Sequence, residues 1–148
     1  METITLSDYQ SLAELRYQIR RFVHFSEQAA RKALVEPRQH QLLLALKGLP
    51  DNMRPSVGVL AERLQILPHS AVELANRLAK GGFVRRQRDG NDQDHREVLL
   101  NLTAKGEKVL RELSLHHRAE LRTAGPALMV ALLRVLKTGK PRRSFRKV

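Results

Sequence analysis

Two hydrophobic periods divide the chain. Leu12, Leu15, Ile19, Phe22 and Val23, then Ser26 and Ala30, fall near a 3.6-residue repeat, with Arg16, Arg20 and Arg21 off that face. This predicts a long first helix, capped by Ser7 or Asp8 and running to about Leu34. Pro37 suits the first turn of a second helix, whose run Leu42-Leu43-Leu44-Ala45-Leu46 is apolar on most sides. Gly48, Pro50, Asp51 and Asn52 break it. Ser56 is the expected cap of a third helix, with Val57, Leu60, Ala61 and Leu64 at i, i+3, i+4 and i+7. A short turn, Gln65-Ile66-Leu67, leads to Pro68 and a fourth helix. That helix buries Ala71, Leu74, Ala75 and Leu78 by the same spacing and ends at Gly81-Gly82.

The period then changes. Phe83-Val84 and Val98 to Leu102 are β-leaning runs flanking a polar segment with Asp89-Gly90-Asn91-Asp92, the pattern of a hairpin. Thr103 is expected to cap a fifth helix in which Val109, Leu110, Leu113 and Leu121 share a broad face. Gly125-Pro126 is expected to interrupt it and to open a sixth helix. In that last helix Ala127 to Leu133 are apolar nearly all round. Both sides need cover, and a second subunit is the simplest candidate. Residues 138–148 carry turn formers and charge with almost no apolar residues, and read as a disordered basic tail. No internal repeat is present.

Composition narrows the class. A chain of 148 residues fits one structural domain with a real core. With 42% hydrophobic residues, 4% aromatics and no Trp, that core must be mostly Leu, Val and Ala. The absence of Cys excludes disulfides, thiolate metal sites and thiol-based sensing by the chain's own residues. No apolar run approaches the ~18 residues of a membrane span. The acidic Glu2 and Asp8 are unlike a signal peptide, so a soluble cytoplasmic protein is expected.

Charge adds less than its total suggests. The net +12 points to a polyanionic partner. Seven of the cations, however, lie in residues 134–148, and 20 basic against 15 acidic residues remain elsewhere. Between 85 and 97, Arg85, Arg86, Arg88 and Arg96 are balanced by Asp89, Asp92, Asp94 and Glu97. No nucleophile–base–acid set or phosphate loop stands out, so neither an enzyme nor a cofactor is expected. His24, His40, His116 and His117 are candidates to converge between the first, second and fifth helices. Adjacent His116 and His117 point differently on a helix, and no Cys or acid cluster completes a zinc set, so no metal site is expected.

An arginine-bearing hairpin directly after a helix-turn-helix is the wing of a winged-helix domain. The order α-α-α-α-β-β-α-α resembles the MarR (multiple antibiotic resistance regulator) family. The matching residues are Leu60-Ala61-Glu62-Arg63-Leu64, Asn76-Arg77-Leu78, Gly82-Phe83-Val84 with Arg86, Asp94-x-Arg96, and Leu102-Thr103-x-x-Gly106. They span about residues 57–106. The resemblance implies a mainly α fold with a small β-hairpin wing and a helical dimerisation region from both termini. Residues 1–53 and 103–137 would hold the dimerisation helices, 54–102 the winged helix-turn-helix and 138–148 the tail. It further implies a transcriptional repressor that binds a pseudo-palindromic operator in double-stranded DNA as a homodimer. Release by a small organic effector, a phenol or carboxylate, would follow the same pattern. The competing reading is an architectural or interaction module without effector response.

Candidate DNA contacts follow from helix geometry and from the resemblance. A recognition helix reads base edges mainly from its N-terminal half. With Ala71, Leu74, Ala75 and Leu78 inward, His69, Glu73, Asn76 and Lys80 turn outward, and Ser70, Val72 and Arg77 lie on the flanks. The candidates are Pro68, which opens the helix, and His69, Ser70, Val72, Glu73, Asn76 and Arg77. Val72 suits a thymine methyl and Glu73 the N4 amine of cytosine. Arg77 suits a phosphate or an intramolecular pair, Glu73 being the partner four residues back. Family members often carry polar or basic residues where Val72 and Glu73 stand, and a capping Ser or Thr where Leu67 stands. In the wing, the resemblance implies that Arg96 enters the minor groove with Asp94 fixing its direction, while Arg86 and Arg88 support the backbone side. Arg16, Arg20 and His40 are candidates to meet an effector carboxylate.

Overall fold

The computed structural model describes residues 2–88 and 97–137. Five helices and one hairpin follow in the order α1 (Leu6–Lys32), α2 (Pro37–Lys47), α3 (Val57–Leu64), α4 (Pro68–Lys80), β1 (Val84–Arg88), β2 (Val98–Leu102) and α5 (Ala104–Lys137). The chain divides into two units, Glu27–His116 and the joined ends Met1–Ser26 with His117–Val148.

The central unit holds nearly all the core. Leu42, Leu43 and Leu46 of α2, Val57, Leu60 and Ala61 of α3, and Ala71, Leu74, Ala75 and Leu78 of α4 are buried together with Val84, Leu100 and Leu110. The helical spacing expected of α3 and α4 is therefore the spacing that packs. Ser56 caps α3, its hydroxyl accepting from the Val59 N–H at 3.2 Å. β1 and β2 pair antiparallel, with Val84 opposite Leu102, Arg86 opposite Leu100 and Arg88 opposite Val98. A short third partner joins at the hairpin's base: Ser56 bridges Leu99, and the Leu100 N–H donates to the Pro55 carbonyl at 2.9 Å.

Three helices of this unit end alike. The Val35 N–H donates to Ala30 O and the Leu34 N–H to Arg31 O; Ile66 and Gln65 repeat the pattern on Ala61 and Glu62, as do Phe83 and Gly82 on Leu78 and Ala79. Each is a Schellman ending, which needs a left-handed residue at the turn. Gly82 supplies it without strain at φ 79°, whereas Leu34 (φ 59°) and Gln65 (φ 54°) carry a Cβ into the same region. Leu34 is also 90% exposed, so no packing offsets that strain.

The terminal unit is different. Ala131 is the one hydrophobic residue of this unit that is buried among the described residues; Gln18 and Ser26 are the buried polar ones. The periodic apolar stripe of α1 is largely exposed: Leu12, Ile19 and Val23 are open, and Leu15 and Phe22 half-buried. On α5, Leu121, Met129, Val130, Leu132, Leu133 and Leu136 are exposed as well.

Four expectations need correction. The cap of α1 is Thr5, whose hydroxyl accepts from the Asp8 N–H while the Asp8 carboxylate accepts from the Thr5 N–H at 2.7 Å; neither Ser7 nor Asp8 is the cap itself. That helix stops at Lys32 because Leu34 turns left-handed. β1 extends to Arg88, beyond the apolar pair that suggested it, because four exposed residues are held by ladder pairing. Gly125-Pro126 does not divide the last helix, and α5 is continuous with Pro126 inside it. Proline removes one backbone donor, but Pro126 and Arg122 are exposed, so water reaches the orphaned carbonyl. Ala127, Leu128 and Met129, strong helix formers, follow Pro126 and carry the helix on.

Candidate nucleic-acid interface

Helix α4 has one buried line, Ala71, Leu74, Ala75 and Leu78. That line turns His69, Val72, Glu73, Asn76, Arg77 and Lys80 to solvent, with Ser70 half-buried on the flank. Pro68 occupies the first turn, and Leu67 before it offers no side-chain cap. The helix is therefore amphipathic, with its polar face exposed.

Two contacts fix that face. The Arg86 guanidinium donates to the Asn76 side-chain oxygen. Arg86 lies opposite Leu100 and shares a pleat face with Val84, the side of the hairpin that packs toward α4. Arg88 is two residues on and shares that face, whereas Arg85 and Gln87 take the other, where Asn101 donates to the Gln87 side-chain oxygen at 3.4 Å. The second contact corrects an expectation: Arg77 pairs with Glu36, the residue preceding α2, at 3.3 Å, and not with Glu73. Glu73 has no ion pair among the described residues.

The base of the hairpin is tightly bound to the start of α5. The Thr103 hydroxyl accepts from the Gly106 N–H at 3.1 Å, capping α5 as expected, and donates to the Gly82 carbonyl. Lys105 donates to Gly81 O at 2.7 Å and lies 4.5 Å above the Phe83 ring. A Cβ on Gly106 would stand 2.1 Å from the Phe83 carbonyl oxygen, so only glycine fits there. The Leu102-Thr103-x-x-Gly106 motif is thus a physical lock on the root of the wing. Arg54 pairs with Glu97 at 2.8 Å at the start of β2.

Asp94 and Arg96 lie outside the described residues, as does the tail from 138. Among the described residues no cluster of three His, Asp or Glu is positioned to hold a metal. His40 is buried, His24 and His116 are exposed, and His117 meets the Ser26 hydroxyl at 2.7 Å between the edges of Phe22 and Phe25. No helix of the described residues is long and apolar enough to cross a membrane.

Sequence reasoning missed an open groove of about 560 Å³ between α2 and the first turns of α5. Leu44 and Leu110 floor it, and Lys47, Lys108 and Arg111 stand around it with Glu107 and Ser114. Lys47 is paired with Glu107 at 2.9 Å. Arg16, Arg20 and His40 do not line it. The signal available in sequence was the i, i+3 spacing of Lys108 and Arg111 beside Leu110.

Comparison with known proteins agrees with this architecture. Residues 35–93 match the sequence model of the MarR family. The chain superposes on AbsC, a MarR family transcriptional regulator from Streptomyces coelicolor, with a TM-score of 0.74 and 19% identity over 93% of this chain and 94% of that one. A MarR family protein from Bacillus stearothermophilus gives a TM-score of 0.61 and 21% identity over 90% and 96%. NadR in complex with 4-hydroxyphenylacetate gives 0.61 and 27% over 82% and 86%. No curated protein matches significantly. The matched segment covers α2 to the first wing strand, and over the whole chain the fold is similar to that of MarR family transcriptional regulators.

Proposed function

We propose that the protein is a homodimeric repressor that reads a pseudo-palindromic operator and is released by a small organic effector. The observation that carries the DNA-reading part is the exposed face of α4, where His69, Ser70, Val72, Glu73, Asn76 and Arg77 stand clear of a fully packed opposite face. An amphipathic helix presented this way fits a major groove, with its first turns toward base edges. Pro68 sets the helix start. Arg86 and Arg88 serve the wing's support, and Arg96, directed by Asp94, is assigned the minor groove, where a narrow electronegative channel favours a guanidinium. The cations of 138–148 add sequence-independent attraction for phosphates.

The dimer rests on the terminal unit, whose exposed Met129, Leu132, Leu133 and Leu136 recur at i, i+3, i+4 and i+7. Such a stripe is not left in water by a stable soluble protein, and a second copy covers it. The effector part is supported by the groove of Leu44 and Leu110 with Lys47, Lys108 and Arg111 at its rim, an apolar floor with cations suited to an aromatic carboxylate. The likeness to NadR, solved with 4-hydroxyphenylacetate, points to the same ligand class.

Footprinting on sites selected from random DNA tests the reading. An inverted repeat with half-sites about one helical turn apart, ~34–36 Å, is expected. Equal affinity for scrambled DNA at matched salt would instead identify a sequence-independent architectural protein.

A further inference from the structure

Glu73 poses a problem for any reading in which α4 lies against DNA. A carboxylate on the outward face of that helix repels phosphates, and its natural neutraliser is the arginine four residues on, in the favoured acid-before-base order. The structure does not use that pair. Arg77 Nη1 lies 3.3 Å from Glu36 Oε2, across 41 residues of sequence. Glu73 stays exposed and without an ion pair among the described residues.

We propose that Glu36 is a specificity-positioning residue: by holding Arg77 it leaves the Glu73 carboxylate uncompensated, so that α4 selects a cytosine N4 amine at the base pair Glu73 faces. The inference rests on the DNA-reading function proposed above and deepens it. An uncompensated carboxylate is costly beside phosphates and beside the acceptor-only edges of guanine N7 and O6 or thymine O4. It gains only where the groove offers a donor, and the cytosine amine is the donor that glutamate pairs with. With Arg77 turned onto Glu73, the same carboxylate would be satisfied internally and would discriminate little. Val72 lies beside Glu73 on the exposed face, so apolar contact and amine recognition are set on adjacent residues.

Both members of the Glu36–Arg77 pair are more than half exposed. Such a pair is weak, and the i, i+4 alternative is of comparable strength. Removing Glu36 is therefore enough to redistribute Arg77. Among the described residues, the ion pair that joins Glu36 to α4 is the one with Arg77, so its effect on base choice runs through that guanidinium.

The experiment is selection from random DNA by the full chain and three variants, Glu36→Gln, Glu73→Gln and the double variant Glu36→Gln/Arg77→Gln, each checked for an unchanged melting temperature. The wild type is expected to prefer cytosine at one position of each half-site by about tenfold. Glu73→Gln should abolish that preference and shift it toward adenine, the base glutamine favours, with other positions unchanged. Glu36→Gln should reduce it several-fold, and the double variant should restore it, an outcome that a merely structural role for Glu36 would not produce. A cytosine preference that survives Glu73→Gln overturns the assignment of Glu73. One untouched by Glu36→Gln, or lost there and not restored in the double variant, overturns the role of Glu36. If the wild type selects a site with no cytosine position, this inference fails while the proposed function stands. If it selects no sequence at all, both fail.

Discussion

Arg86, on the first strand of the wing, donates a hydrogen bond to the side-chain oxygen of Asn76 on α4. The two residues belong to different elements but are only ten apart in sequence, joined through the Gly81-Gly82 turn. The bond ties the first strand of the wing to the exposed helix face. Arg86→Ala should loosen that coupling. Operator affinity is expected to fall about tenfold, on the order of 1.4 kcal/mol. Stability should change by less than about 1 kcal/mol because the contact is exposed. Titration of a labelled operator beside a thermal melt checks both, and an unchanged affinity would leave the bond as surface decoration.

Gly106→Ala is expected to be severely disruptive. The added methyl would stand 2.1 Å from the Phe83 carbonyl oxygen and 3.1 Å from its carbon, both backbone atoms that no rotamer change can move aside. Overpacking of this kind costs about 1–3 kcal/mol or more. Chemical denaturation should show a lower midpoint, whereas Gly58→Ala, whose Cβ meets nothing within 4 Å, serves as the tolerant control.

Leu34→Gly runs in the opposite direction. The residue sits at φ 59° with its side chain in solvent, so glycine relieves backbone strain and removes no packing. A gain of about 1 kcal/mol in unfolding free energy is expected, reduced somewhat by glycine's looser unfolded chain. A lower midpoint would mean that the exposed leucine is held by a contact with another molecule.

Leu133→Glu places a charge in the exposed stripe of α5. Sedimentation should show the wild type as a dimer at micromolar concentration and the variant as a monomer, with operator affinity reduced at least tenfold. A wild-type monomer at that concentration would remove the dimer from the proposed mechanism altogether.

Sequence patterns exposed the framework because the framework is local. Ala71, Leu74, Ala75 and Leu78 recur at helical spacing and are buried, and Ser56 and Thr103 cap the helices they precede. The resemblance carried by Leu102-Thr103-x-x-Gly106 acquires its physical reason only in three dimensions, where Gly106 meets Phe83. Other features left no periodic trace. β1 has a single buried residue, so its length depends on ladder pairing with β2. Pro126 reads as a break because propensity is judged locally, yet the residues around it sustain one helix. Arg77 was open to a local partner and took a distant one, a choice made by the packing of α2 near α4. The stripe of Leu12, Ile19 and Val23 has helical periodicity and is exposed in the single chain. Periodicity identifies an apolar face without saying which molecule covers it.

The lock formed by Thr103, Lys105 and Gly106 on Gly81, Gly82 and Phe83 holds both strand roots from outside the hairpin. The residues between the strands are therefore not needed to bring the strands together. If the DNA-reading function proposed above holds, substitutions in residues 89–96 should change DNA preference while these anchors stay in place. A grafted tip should inherit a ready-made stem.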